Sequence, residues 1–284
     1  MNAVAPWPYA RVLAHRGGGK LAPENTIAAI KVGLDHGYRA IELDAMLAAD
    51  DVPVLMHDPT LKRTGLIRGA VNERRAADLE RVDVGAWHSP RFAGELVPTL
   101  ERTLRFCRDH RIWPNIEIKP ARGFDRVAGA AVARVTAQVY ADLIRPGGDR
   151  AGQTDAHIPL LSSFSRVALA AAREAAPDVP RGWLVQRVPR IWRAEIARLG
   201  CVSLHANHRY LTARMTRTIK ESGTWLFCYT VNSQRRAYTI FRWGVDAFCT
   251  DRIDLIAADL APVMPVKTGI QSLRSTAGFP LPRE

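Results

Sequence analysis

Four short apolar runs close on, or carry near their ends, His15-Arg16-Gly17, Glu42-Leu43-Asp44, His57-Asp58 and Glu117-Ile118-Lys119. Two histidines, three carboxylates, an arginine and a lysine are the parts of an acid/base site that also holds a metal and receives an anion. Glu42 and Asp44 are two residues apart, so on a strand both side chains point to one face. Carboxylates held that close repel. A hard divalent cation, Mg²⁺ or Ca²⁺, is the usual partner of such an all-oxygen set, with Glu117 from another strand as third ligand. Singly, each piece has a plain alternative: a Glu-x-Asp is commonly a solvated strand edge, and a His-Asp commonly a turn. Their conjunction points to chemistry, provided that the fold brings them to one place.

The elements that would do so follow from periodicity. Apolar runs at Arg11–His15, Ala40–Leu47, Val52–His57, Ile112–Ile118, Pro159–Phe164, Gly182–Gln186, Cys201–Ala206, Trp225–Val231 and Asp246–Thr250 alternate with stretches of helical character, the signature of βαβ units. Only Ala48-Ala49-Asp50-Asp51 separates the second run from the third, too short for a parallel crossover, so these two form an antiparallel hairpin. Eight parallel strands remain. Helices are expected over Asn25–His36, Leu100–Arg108, Arg126–Leu143, Arg166–Ala175, Trp192–Leu199, Ala213–Ser222 and Gln234–Trp243, with Gly37, Gly200, Gly223 and Gly244 as stop signals. The economical fold is an α/β protein of the (β/α)8 TIM-barrel type with an antiparallel hairpin after its second strand, and a doubly wound sheet is the alternative. In a parallel barrel the active site lies at the C-terminal strand ends, where the four clusters fall. If Ala49-Asp50 is a two-residue hairpin loop, paired positions sum to 99 and His57 lies opposite Glu42, on the same face. A slip of one residue would turn His57 away.

At 284 residues, with 47% hydrophobic and 24% charged side chains, the chain can bury a full core and is not disordered as a whole. A single barrel domain over 8–261 is expected, with 59–98, too long for an ordinary βα loop, as a small capping insertion and 262–284 as a flexible tail. The net charge of +12 comes overwhelmingly from arginine, since only six of the 40 basic residues are lysine. That suits anionic partners without choosing among them. Cys107, Cys201, Cys228 and Cys249 lie far apart with no zinc-site spacing, which fits reduced thiols. No window approaches the roughly 20 apolar residues of a membrane span, and a cytoplasmic location is expected.

The motifs resemble those of glycerophosphodiester phosphodiesterases. His15-Arg16-Gly17, Ala22-Pro23-Glu24-Asn25-Thr26, Glu42-Leu43-Asp44, Val52-Pro53-Val54-Leu55-Met56-His57-Asp58, Pro98-Thr99-Leu100, Asn115-Ile116-Glu117-Ile118-Lys119 and Thr230-Val231-Asn232 occur in that family's order and spacing. The segments 201–208 and 241–246 look like those of its cytoplasmic bacterial member associated with glycerol-3-phosphate uptake. The resemblance implies metal-dependent hydrolysis of glycerophosphodiesters to sn-glycerol 3-phosphate and an alcohol through a cyclic phosphate. By the same resemblance Glu42, Asp44 and Glu117 are metal ligands for one Mg²⁺ or Ca²⁺, His15 and His57 the acid/base pair, and Arg16 and Lys119 the phosphate contacts. Tyr229 stands where many relatives carry Trp and is a candidate substrate contact.

Weaker candidates remain. His205, Asn207 and His208, after the sixth parallel strand, and Asp251, after the last, could touch substrate or serve structural hydrogen bonds. Glu24 and Asn25 are expected to cap and brace the first helix. The arginine-rich stretch Arg181–Arg198 reads as amphipathic surface, so no nucleic-acid partner is expected. No amphipathic insertion helix is evident, which argues against stable membrane insertion, and the chain is expected to act as a monomer or homodimer on a small-molecule diester. A phospholipase D-like enzyme on intact lipids and a non-catalytic binder of phosphoesters are the alternatives.

Overall fold

The computed structural model describes residues 6–144 and 157–261. The expected tail, 262–284, lies outside the described residues. Nine strands form one sheet: β1 (Val12–His15), β2 (Ala40–Leu47), β3 (Pro53–Leu55), β4 (Trp113–Ile118), β5 (Leu160–Ser163), β6 (Arg181–Val185), β7 (Ser203–Asn207), β8 (Trp225–Tyr229) and β9 (Ala247–Thr250). All but β3 pair in parallel in the order β1-β2-β4-β5-β6-β7-β8-β9, and β9 returns to β1. The sheet therefore closes, which makes it a (β/α)8 barrel and sets aside the doubly wound alternative.

Helices α1 (Ile27–Asp35), α3 (Leu100–Asp109), α4 (Asp125–Val139), α5 (Arg166–Ala175), α6 (Trp192–Leu199), α7 (Ala213–Glu221) and α8 (Gln234–Trp243) ring the barrel, and a single turn, α2 (Ala76–Leu79), lies in the segment after β3. Five of them start the same way. Thr26, Thr99, Ser165, Thr212 and Ser233 each accept a hydrogen bond from the backbone N–H three residues on, filling one orphan donor of the first turn. The cap of α1 is thus Thr26 and not Asn25. Helix α4 stops at Val139, short of the expected Leu143, where Arg108 donates to the Val139 carbonyl.

The largest apolar cluster lies between barrel and helices. A second fills the N-terminal half of the barrel interior with Leu13, Ala40, Trp113, Leu160, Trp225, Phe227 and Ala247, and the segment before β1 closes that end with Trp7 and Tyr9. Residues 59–98 build a third cluster, in which Leu61, Val71, Leu79, Val82 and Val97 pack on Met46, Val54 and Met56 of the hairpin.

The hairpin register differs from expectation. Ala45, Met46 and Leu47 pair with Leu55, Val54 and Pro53, so paired positions sum to 100 rather than 99. The physical reason is the turn. Asp51 N–H bonds Ala48 O, Ala48 N–H bonds Val52 O, and Asp51 sits at φ 58°, which makes a three-residue loop ending in a left-handed residue. His57 is not turned away by this slip, because β3 ends at Leu55 and His57 is placed by the bend that follows.

Candidate active site

A cavity of about 170 Å³ opens at the C-terminal end of the barrel, and His15, Arg16, Glu42, Asp44, His57, Glu117, Lys119 and Tyr229 all line it. These residues come from β1, β2, β4, β8 and the loops after β1, β3 and β4, so closure of the barrel is what collects them.

At the centre, one oxygen from each of Glu42, Asp44 and Glu117 lies within 4.8 Å of the others. Glu42 and Asp44 share the inward face of β2, and Glu117 pairs directly with Asp44 across the β2–β4 ladder. Burial, with the charge of Asp44 beside both, pushes the pKa of Glu42 and of Glu117 upward. Burial acts on Asp44 too, but Arg16, Lys119 and the hydrogen bond from Asn25 lower its pKa against it. Three carboxylates, Glu42 and Asp44 buried and Glu117 partly so, form a hard-oxygen set that fits a divalent cation such as Mg²⁺ or Ca²⁺.

The groups around this centre hold it rigid. Asn25 grips Asp44 twice: its Nδ2 donates to Asp44 Oδ2 at 2.9 Å, and its Oδ1 accepts from Asp44 N–H at 3.0 Å. Arg16 adopts the left-handed backbone region, φ 54°, uncommon for a residue with a side chain. That conformation turns its N–H toward Glu42 Oε2 at 3.3 Å while its guanidinium reaches Glu24 at 2.9 Å and Asp44 at 3.4 Å. Lys119 Nζ lies 3.4 Å from Glu117 and 3.7 Å from Asp44. The two cations flank the carboxylates, and both line the cavity.

Each histidine is anchored through Nδ1 by a carboxylate. His15 Nδ1 lies 2.5 Å from Asp251 Oδ1, and His57 Nδ1 lies 2.6 Å from Asp58 Oδ1. A carboxylate on Nδ1 fixes the tautomer that keeps a proton there and leaves Nε2 for reaction. The anchors are themselves held. Asp251 accepts from Asn232 Nδ2 at 2.7 Å, and its own N–H donates to Asn232 Oδ1 at 2.8 Å. Against the effect of burial, the contacts of Asp251 with His15 and Asn232 hold its carboxyl at about 2. Asp58 is bonded by Arg63 at 2.6 Å, and Arg63 makes a two-pronged bond to Glu24 at 2.7 and 2.8 Å. A chain His57–Asp58–Arg63–Glu24–Arg16 thus ties the loop after β3 to the loop after β1. Gly19, at φ 57°, lets that first loop press against the last, since a Cβ there would lie 2.3 Å from Asp251 O.

The two imidazoles differ. Burial opposes a charge on His15, but the Asp251 bond and the Glu42 carboxylate outweigh it, and its pKa rises above 6.5. Burial also disfavours charge on His57, here with Arg16 and Lys119 adding to it against Asp44 and Asp58, and its pKa falls below 6.5.

Tyr229 lines the cavity, but its hydroxyl donates to Val185 O at 2.9 Å, so it offers the cavity a ring, set edge-on to Phe164. His205 points into the barrel and also lines the cavity, whereas Asn207 bonds Gln186 and caps a short turn in which Arg236 holds His208. Arg181 is buried with its guanidinium on backbone carbonyls, and Trp183 and Trp192 are buried as well, so they offer no exposed surface. Among the described residues no helix is long and apolar enough to cross a membrane. In the sequence Asp251 is ambiguous, Asn232 stands in the Thr230-Val231-Asn232 motif without a role of its own, and Arg63 carries no mark. The position of Asp251 at a C-terminal strand end was the available signal, while the partnership of Arg63 with Glu24, 39 residues away, has no local mark.

Residues 15–255 match the glycerophosphoryl diester phosphodiesterase family. A glycerophosphodiester phosphodiesterase of Caldanaerobacter subterraneus subsp. tengcongensis is 28% identical over 242 residues, covering 84% of this chain and 93% of the relative. One from Bacillus subtilis is 27% identical over 256 residues, covering 86% of this chain and 84% of the relative. Among solved structures, an Oleispira antarctica phosphodiesterase in complex with the product sn-glycerol-3-phosphate superposes with a TM-score of 0.76 at 29% identity, over 86% of this chain and 93% of that one.

Proposed function

The chain belongs to the glycerophosphoryl diester phosphodiesterase family, and we propose that it hydrolyses glycerophosphodiesters to sn-glycerol 3-phosphate and an alcohol by two-histidine acid/base catalysis at the cavity just described. The observation that carries this reading is the pair of carboxylate-anchored histidines beside a three-carboxylate cluster in one cavity. The Oleispira antarctica complex supports sn-glycerol 3-phosphate as the product.

Glu42, Asp44 and Glu117 would hold one Mg²⁺ or Ca²⁺, whose charge would stabilise the phosphoryl oxygens as negative charge develops on them. Arg16 and Lys119 orient the phosphate from either side and add to that stabilisation. His57, whose environment favours the neutral ring, takes the proton from the glycerol 2-hydroxyl as its oxygen attacks phosphorus. His15, whose environment favours the imidazolium, gives its proton to the alkoxide of the departing alcohol as the P–O bond breaks. A cyclic glycerol phosphate remains. In the second step His15, now neutral, takes a proton from water as its oxygen attacks phosphorus, and His57 returns its proton to the 2-oxygen. The products are sn-glycerol 3-phosphate and the alcohol, and both histidines end as they began. Asp251 and Asp58 hold the two rings in reactive orientation throughout. The four unpaired, buried cysteines support a reducing, cytoplasmic setting.

The test is release of sn-glycerol 3-phosphate from glycerophosphocholine, with and without chelator. Release is expected to stop on chelation, return on adding Mg²⁺ or Ca²⁺, and fall at least a hundredfold in Glu42→Ala, a scale set by loss of transition-state charge stabilisation. Release that persists after exhaustive chelation would overturn the metal assignment.

The pH profile follows from the directions of the two shifts. His57 must be neutral, so kcat/KM rises with pH through a pKa below 6.5. His15 must be protonated, so kcat/KM falls again above a pKa higher than 6.5. A bell with limbs on either side of 6.5 is expected in the free enzyme. A profile that only rises with pH would remove the requirement for a protonated histidine.

A further inference from the structure

Alongside the carboxylates, where Asn115 pairs with Glu42 and Ser162 with Glu117 on the strand ladders, the floor of the same cavity is polar but uncharged, and it has no part in the chemistry above. Asn115, Ser162 and His205 line the cavity and are at most 2% exposed. Asn115 Oδ1, Ser162 Oγ and His205 Nδ1 are buried and find no hydrogen-bond partner among the described residues. Three orphaned polar atoms converging on one small space are costly unless something bonds them there. Asn115 precedes Glu117 by two residues on the inward face of β4, which sets it roughly 6.5 Å deeper than Glu117 and in register with Glu42.

The floor is built. His205 stacks on Phe227 at 4.6 Å, and its Nε2 shares a 2.9 Å hydrogen bond with Ser203 Oγ. The neighbouring strand makes room for the ring with Gly182, where a Cβ would lie 2.4 Å from His205 Nε2 and 2.6 Å from Ser203 Oγ. Burial drives the His205 pKa down to about 3, so the imidazole is neutral. A neutral ring nitrogen, a hydroxyl and an amide oxygen match a substrate hydroxyl, which both donates and accepts. They do not match the phosphate, which belongs with Arg16 and Lys119, nor a cationic headgroup. Below them Trp113, Trp225 and Phe227 close the barrel, so a chain extending from that hydroxyl has nowhere to go.

We propose that Asn115, Ser162 and His205 bind the terminal hydroxyl of the glycerol moiety, so that the enzyme selects diesters whose glycerol end is free and rejects those acylated there. The headgroup alcohol then faces the cavity mouth, beside Phe164 and Tyr229. This inference rests on the phosphodiesterase reading above.

The test compares sn-glycero-3-phosphocholine with 2-hydroxypropyl phosphocholine, which keeps the attacking 2-hydroxyl and lacks only the terminal one. The wild type is expected to prefer the glycerol diester in kcat/KM by about tenfold, the worth of one good hydrogen bond. That ratio is expected to fall toward one in Ser162→Ala, which removes a hydroxyl that bonds nothing in the protein, and in His205→Phe, which keeps the stacking shape. Lysophosphatidylcholine acylated at the terminal hydroxyl is expected to be inert. A wild type that hydrolyses both diesters equally, a ratio unchanged in both variants, or turnover of the acylated diester at a comparable rate would overturn the floor assignment alone. Failure to hydrolyse glycerophosphocholine with any divalent metal would instead overturn the reading on which it rests.

Discussion

His57→Ala is expected to lose cleavage of every glycerophosphodiester, whereas His15→Ala loses the cleavage step only for diesters whose leaving alcohol needs a proton. The difference follows from the environments of the two rings. Burial, with Arg16 and Lys119 beside it, lowers the pKa of His57, which suits it to accept the 2-hydroxyl proton. Asp251 and Glu42, against burial, raise the pKa of His15, which suits it to protonate the leaving oxygen. General acid or base catalysis contributes typically 10²–10⁴-fold, so each substitution should lower kcat on glycerophosphocholine by about that factor. A p-nitrophenyl diester of glycerol phosphate departs as a stable phenolate and needs no acid. On that substrate His15→Ala should regain most of its p-nitrophenolate release, with cyclic glycerol phosphate left because the second step still lacks its base, and His57→Ala should not. Equal rescue of both variants, or of His57→Ala alone, would reverse or remove the assignment of base and acid. Metal affinity measured in parallel separates a catalytic loss from a collapsed site, because neither histidine belongs to the carboxylate set.

The largest expected loss of stability lies at the opposite end of the barrel. Trp113→Ala should destabilise the fold by roughly 3–5 kcal/mol, as for other buried Trp or Phe truncations. Trp113 opens β4 and is 5% exposed. Its ring stacks on Tyr9 with centroids 4.0 Å apart and meets Trp7 edge-on at 5.9 Å, while its indole N–H donates to Ile158 O at 2.8 Å. Removing the indole leaves a cavity bounded by a rigid ring of strands, orphans the Ile158 carbonyl and frees the segment that closes the barrel. Thermal unfolding should shift down by roughly 10 °C in a chain of this size. A shift under 2 °C would mean that Trp7 and Tyr9 refill the space and that this aromatic layer contributes little. The metal set lies at the other end of the barrel, so Mg²⁺ or Ca²⁺ should still protect the variant against unfolding.

Much of this protein is legible along the chain because it is local. The spacing of Glu42 and Asp44 puts both on one face of a strand whatever surrounds it. The alternation of apolar runs with amphipathic stretches, four of them closed by Gly37, Gly200, Gly223 and Gly244, marks the strands and helices. The four residues between the second and third runs force the hairpin. What periodicity places only to within a residue was misjudged: the loop after β2 has three residues rather than two, and a left-handed Asp51 is not signalled strongly by its neighbours. That slip would matter if His57 sat in the ladder, but it lies beyond the last paired residue, and its direction is set by Asp58, Arg63 and Glu24.

The residue types able to bind a cation and move protons, and the strand ends that carry them, were determined by the sequence itself, since strand periodicity and βα order are properties of neighbours a few positions apart. Tertiary structure decided which groups meet. Only closure of the barrel brings Asp251 from the last strand end onto His15 of the first, 236 residues away. Only the charges gathered at that junction separate the two histidines: burial lowers the pKa of both, and Asp251 with Glu42 carries that of His15 back above 6.5. The uncharged floor of Asn115, Ser162 and His205 exists for the same reason. Each is an ordinary strand residue alone, and their unpartnered atoms converge only where three staggered strands turn the same face to one enclosed space.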